Sequence, residues 1–132
     1  MKLWGIGAYW DNVDMTGNFI ENSYALLGWN EADAPSLHTL MNEIAIGDII
    51  YIKSFVKSSK SLKIKAVGKI KSYVKPFKCG AQIKKGVSVK WIYTDKCVIH
   101  KLSDSEMVYN VYSLTLYREY SAKIIEKLLD LI

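Results

Sequence analysis

Two stretches of this chain alternate apolar and polar residues one by one, and a period of two commits them to β-structure. Leu62, Ile64 and Ala66 are separated by Lys63 and Lys65, and Val87, Val89, Trp91 and Tyr93 by Ser88, Lys90 and Ile92. Successive side chains of a strand point to opposite faces, so this pattern buries one face and solvates the other. Ile49-Ile50-Tyr51-Ile52 is a continuous apolar run of strand length, expected where a strand is buried on both faces or closes a barrel. Val98 to His100 and Tyr109 to Leu116 read as further strands, and Trp4 to Trp10 as an opening strand weakened by its glycines. Ser54 to Ser61 reads as a polar hairpin connection and Lys75 to Gly80 as a loop. Gly68 reads as a bulge that lets its strand coil before Ile70, Ser72 and Val74 resume the alternation.

Helical signals frame these strands. Asp14 is placed to cap a helix through Phe19, Ile20 and Ser23. Pro35 suits the first turn of the next helix, where its missing N–H costs nothing. Leu37, Leu40, Met41 and Ile44 then form one stripe, and Gly47-Asp48 ends it. Ser121 is placed to cap a last helix with Ile124, Ile125, Leu128, Leu129 and Ile132 on one side. An opening strand, helices, mostly adjacent strands and a final helix make an α+β domain, its curled sheet or small barrel flanked by helices. With 132 residues, no repeat and no internal linker, the expectation is a single domain over 1–132. No run approaches the roughly 20 apolar residues of a membrane helix. The first residues lack a signal-peptide core, and two cysteines make no disulfide framework, so a reduced, cytoplasmic protein is expected.

Charge is segregated along the chain. Residues 1–52 carry one basic side chain and seven acids, whereas residues 53–101 carry fourteen lysines, no arginine and one acid, Asp95. A block this basic suits a polyanionic partner, and lysine, a mobile point charge, suits phosphate contact better than base-edge reading. Its plainer use is as the solvated face of strands whose edges it protects.

Several chemistries lack their residues. His38 and His100 stand far apart with no ligand-spaced partner, so no metal is expected; His38 reads as a surface or capping residue and His100 as a strand end. Cys79 stands among lysines that would activate a thiol, but reads more simply as a small turn residue, and Cys97 as core. Gly5-Ile6-Gly7 lacks the third glycine of a dinucleotide fingerprint, and no phosphate-loop motif occurs. No cofactor is expected.

What remains unusual is four Trp, nine Tyr and three Phe. Bases stack on such rings for roughly 1–3 kcal/mol each, and aromatics interleaved with lysine suit single-stranded or flipped bases. Trp10 and Trp29 stand beside polar turn residues, Asn12 and Asn30, whereas Trp4 and Trp91 lie inside strands and read as core.

Gly86-Val87-Ser88-Val89-Lys90-Trp91-Ile92-Tyr93-Thr94-Asp95-Lys96 resembles a V-K-W strand of YTH domains. Gly47-Asp48-Ile49-Ile50-Tyr51-Ile52 with Leu62 to Ile70 is similar to the glycine–aspartate strand pair of EVE and other PUA-like domains. The resemblance implies a pseudobarrel of five to six strands flanked by helices, with a pocket for a modified or flipped base in DNA or RNA. It further implies a prokaryotic defence or restriction setting, with a nuclease or helicase as effector partner. Trp29 matches the first tryptophan of the YTH aromatic cage. The second has no counterpart before the V-K-W strand, and Tyr73 or Phe77 would have to replace it. On this reading Trp10, Asn12, Trp29, Asn30, Ser54, Lys57, Lys60, Tyr73, Phe77 and Lys78 contact nucleic acid and nothing is catalytic. Two alternatives stand beside it. One is a small hydrolase of ASCH-like type using Asp11, Asp14 or Asp48, although Asp48 fits better as the residue that fixes its turn. The other is a module whose lysine face docks an acidic protein.

Overall fold

The structure is a computed structural model and describes residues 1–108 and 111–132. The chain opens with β1 (Leu3–Gly7) and a tight hairpin, β2 (Tyr9–Trp10) and β3 (Val13–Asp14). Helix α1 (Thr16–Glu21) follows; its N-cap is Met15, not the expected Asp14, and it ends short of Ser23, while the Asp14 carboxylate accepts from the Thr16 N–H at 3.0 Å and its hydroxyl at 2.7 Å. Next come β4 (Tyr24–Leu26) and α2 (Pro35–Met41), with the proline in its first turn as expected. The middle of the chain supplies β5 (Ile49–Val56), β6 (Ser61–Ile70), β7 (Lys75–Cys79), β8 (Gln82–Tyr93) and β9 (Val98–Lys101). Then come α3 (Asp104–Met107), β10 (Leu116–Arg118) and α4 (Ala122–Asp130), the last capped by the Ser121 hydroxyl. Among the described residues no helix is long and apolar enough to cross a membrane.

The strands build an α+β fold around a curled, half-barrel mixed sheet in the order β10-β1-β5-β6-β8-β4. Six strands lie on that path, and β7 and β9 branch from it against β8 and β6. β1 and β5 pair in parallel and the other ladders are antiparallel. The apolar run on β5 is buried on both faces. Ile50 and Ile52 join a core with Trp4, Ile6, Phe19, Met41 and Val89, while Ile49 and Tyr51 join a second with Tyr117, Ile124 and Leu128.

The regular alternation on β6 does not keep Leu62, Ile64 and Ala66 on one face. Ile52 pairs with Ala66 and Lys53 with Ile64, so Lys65 has no partner on β5 and forms a bulge. One extra residue reverses the facing of everything beyond it. Leu62 and Ile64 therefore enter the second core and Ala66 the first. A second irregularity falls opposite Val67 and Gly68, but its extra residue is Ile92 of β8, unpaired between Trp91 and Tyr93, and not the expected bulge at Gly68. A Cβ there would lie 2.5 Å from Val89 Cγ1, so only glycine allows β8 this close.

Several expectations are overturned. Lys75 to Gly80 is not a loop: β7 pairs with β8 across a turn whose Gly80 has φ +60°. Ser54 belongs to β5, and the hairpin turn is only residues 57–60. β6 stops at Ile70, short of Val74. Of the strand expected over Tyr109 to Leu116, residues 109 and 110 lie outside the described residues, 111–115 is irregular, and β10 begins at Leu116. Helix α3 goes unpredicted, although Ser103 and Glu106 form the S-x-x-E capping box that announces it. Cys97 is exposed rather than core, His38 is buried rather than superficial, and Leu129 and Ile132 lie outside the buried stripe of α4.

Asp48 ties the start of the parallel pair together, as its turn position predicts. Its carboxylate accepts from the Lys2 N–H, the Trp4 Nε1–H and the Ala45 N–H, each at 3.0 Å. Burial pushes its pKa up, but these donors and the Lys2 charge outweigh that and hold it below the ordinary aspartate value. A depressed carboxylate stabilises the fold above its unfolded pKa and loses that contribution as pH falls through the folded value. Asp48→Ala should cost about 2–4 kcal/mol in urea unfolding, because three donors lose a charged acceptor. Asp48→Asn should remove part of the destabilisation that the parent shows on acidification below about pH 4.

Candidate functional site

Tyr9 pairs with Asp14 and Trp10 with Val13, leaving Asp11 and Asn12 as a two-residue turn. Their φ values of 44° and 67° are left-handed, as hairpin turns of this length demand and as Asp and Asn tolerate. The hairpin lays Trp10 against the backbone of Gly28, where a Cβ would sit 2.8 Å from the indole nitrogen. Phe19 meets Trp10 edge-on at 5.7 Å between ring centroids. The Trp10 Nε1–H is buried without a hydrogen-bond partner among the described residues.

Trp29, one residue beyond Gly28, is 54% exposed. Its Nε1–H donates to the Thr115 hydroxyl at 3.3 Å. His38 Nε2 lies 2.7 Å from the Trp29 carbonyl, an acceptor, so that nitrogen carries the proton. The buried histidine thus holds the loop that presents the exposed indole.

Both tryptophans line one cleft of about 360 Å³, with Tyr9, Phe55, Thr115 and two lysines around it. Lys65, the bulged residue, stands at its edge and pairs with Asp14 at 3.1 Å. Lys53 lies deep in it, 7% exposed. Its ammonium donates to the carbonyls of Tyr112 at 2.8 Å and Leu114 at 2.5 Å, and sits 5.5 Å from the Tyr117 ring centroid. Burial lowers the Lys53 pKa to about 8. The cleft therefore offers aromatic faces, hydroxyls and two cations, a set suited to a planar ring with hydrogen-bond acceptors. The tryptophans also border an adjoining hollow of about 240 Å³, where the polar groups are Asp11, Asn30 and Asp33.

Of the residues predicted to contact nucleic acid, the structure brings Trp10, Trp29 and Ser54 into the cleft and Asn30 into the adjoining hollow. Lys57 and Lys60 are exposed on the β5–β6 turn, beyond the strand end that carries Ser54 and Phe55. Asn12 serves its turn and lines neither space. Phe77 does not replace a cage residue: it packs edge-on against Tyr24 at 5.4 Å and abuts the first core. Tyr73 and Lys78 are exposed and line neither space. Trp10, from the opposite end of the sequence, is the second tryptophan of the cleft. Trp4 and Trp91 are in or against the first core as expected, the latter bonded to the Phe19 carbonyl at 2.9 Å. The acids considered for hydrolysis are dispersed: Asp48 is buried under three donors, Asp14 pairs with Lys65, and Asp11 faces the adjoining hollow. Sequence reading misses Lys53, Lys65, Tyr9, Phe55 and Thr115. For Lys53 a signal existed, a lysine directly ending a run of four buried apolar residues.

No family model matches the chain, and no curated protein matches it. Among solved structures it is similar to Rpa0253 from Rhodopseudomonas palustris, determined by NMR as a Northeast structural genomics consortium target. The TM-score is 0.53 at 13% identity, over 99% of this chain and 92% of that one, which shows a shared fold.

The contact between Trp10 and Gly28 is directly testable. Gly28→Ala should displace the Trp10 ring, cost about 1–3 kcal/mol by overpacking and shift the tryptophan emission. A variant with unchanged stability and emission would show that the ring does not rest there.

Proposed function

We propose that this chain is a PUA-like module of EVE or YTH type that reads a base in a nucleic-acid strand. The juxtaposition that carries the reading is Trp10 and Trp29 in one cleft with Lys53 and Lys65. An extruded base needs aromatic faces to replace the stacking it gives up, and its flanking phosphates need cations within reach. Trp29 supplies an exposed indole whose N–H is held by Thr115 and whose backbone carbonyl is held by His38, so the face is presented rather than collapsed. Lys57, Lys60 and Lys63 on the β5–β6 hairpin continue the positive surface beyond Ser54, which pairs with Lys63. In this reading the module recognises and does not cleave, and a nuclease or helicase partner would act on what it finds.

Trp29→Ala should weaken binding of a single-stranded oligonucleotide carrying the preferred base about tenfold, with little loss of fold stability because the side chain is half exposed. Binding by the parent should also fall about tenfold between roughly 50 and 200 mM salt, through counterion release. Titration of modified and unmodified oligonucleotides by fluorescence anisotropy measures both effects. Equal affinity for parent and variant across that set would sink the reading.

A further inference from the structure

The floor of the cleft carries a charge that nothing among the described residues neutralises. The Lys53 ammonium is met by the carbonyls of Tyr112 and Leu114 and by the face of Tyr117. Among the described residues no carboxylate lies within ion-pair distance of it, and no aspartate or glutamate lines the cleft. An ammonium has three N–H donors, and the described residues engage two of them. A buried cation without a counter-ion is costly, and a lining position gives a ligand the means to complete it. Beyond Trp10 the polarity reverses, because Asp11 and Asp33 line the adjoining hollow and no lysine does. An anionic group on a ring entering beside the tryptophans is therefore repelled from one side and attracted to the other.

Resting on the base-reading function above, we propose that the cleft selects a planar ring bearing a carboxylate, with that group against Lys53 Nζ and the ring against Trp10 and Trp29. Burial of Lys53 strengthens such a contact, since a charge-assisted bond away from water is little screened. Two sources offer the same chemistry: a carboxylated base within a strand, or a free carboxylated nucleoside.

The test compares single-stranded oligonucleotides containing one 5-carboxycytosine, one 5-methylcytosine or only unmodified bases, together with free 5-carboxycytidine. The parent should prefer the carboxylated strand by about tenfold or more, a margin that persists between roughly 50 and 200 mM salt. Lys53→Met should reduce that margin to below about threefold, weakening the carboxylated strand several-fold more than the methylated one. If the parent binds all three strands alike, selection is overturned and base reading survives. If Lys53→Met weakens every strand equally, Lys53 only staples the 112–115 wall, and the proposal is overturned. Lys53-dependent binding of the free nucleoside with no strand binding upholds selection and overturns base reading. Binding of no probe overturns both. Should the variant fail to fold, the parent's comparison of carboxylated with methylated strands decides the matter alone.

Discussion

In an antiparallel pair the register decides which face each side chain takes, so one extra residue on one strand acts along the whole sheet. Here that residue is Lys65, unpaired between Ile64 and Ala66. Without it, Leu62, Ile64 and Ala66 would crowd one face, leaving α4 without the apolar surface that Leu62 and Ile64 supply to its core. With it, β6 serves two cores, one beneath α1 and α2 and the other beneath α4. The bulge also bends the strand, and the bend helps to curl the sheet into a half-barrel rather than a flat layer. Its side chain, paired with Asp14, lines the cleft, so the irregularity that divides the core also supplies one of the two cations at the site.

The buried ionisable groups divide into two kinds. Asp48 is surrounded by donors that match its charge, and serves the fold. Glu119 is likewise enclosed: Tyr51, Tyr112 and the N–H groups of Tyr120 and Ser121 all donate to it. Burial nonetheless outweighs those bonds and keeps its pKa raised. Lys53 differs from both, having two carbonyls and an aromatic face but no opposite charge among the described residues. It also ties the segment over 112–115 to the strand floor, so the wall of the cleft and its charge depend on one side chain.

Much of the fold is legible in the sequence because it rests on local chemistry. Proline in the first turn of α2 and the Ser121 cap of α4 each act within a few residues, and both appear where expected. The β7 strand was not legible, since Lys75-Pro76-Phe77-Lys78-Cys79 carries turn-like residues and is held in a hairpin by β8. The site was legible in part. Trp29 and Trp10 stand out beside polar turns, whereas Phe77 and Tyr73 enter only as replacements for a second cage tryptophan, and packing against Tyr24 removes Phe77 from that role.

Periodicity and capping are properties of neighbours along the chain, so the class of the fold, the apolar run on β5, the Ser121 cap and the lysine-rich middle can all be read without a structure. Which tryptophans meet, which lysine is buried and where the strands slip were decided only by the tertiary structure. Trp10 and Trp29 are brought to one cleft by a hairpin that turns through Asp11 and Asn12 and a glycine that lets an indole rest on backbone. Contacts of that kind join residues distant in sequence, and their cost or gain exists only once the sheet has curled.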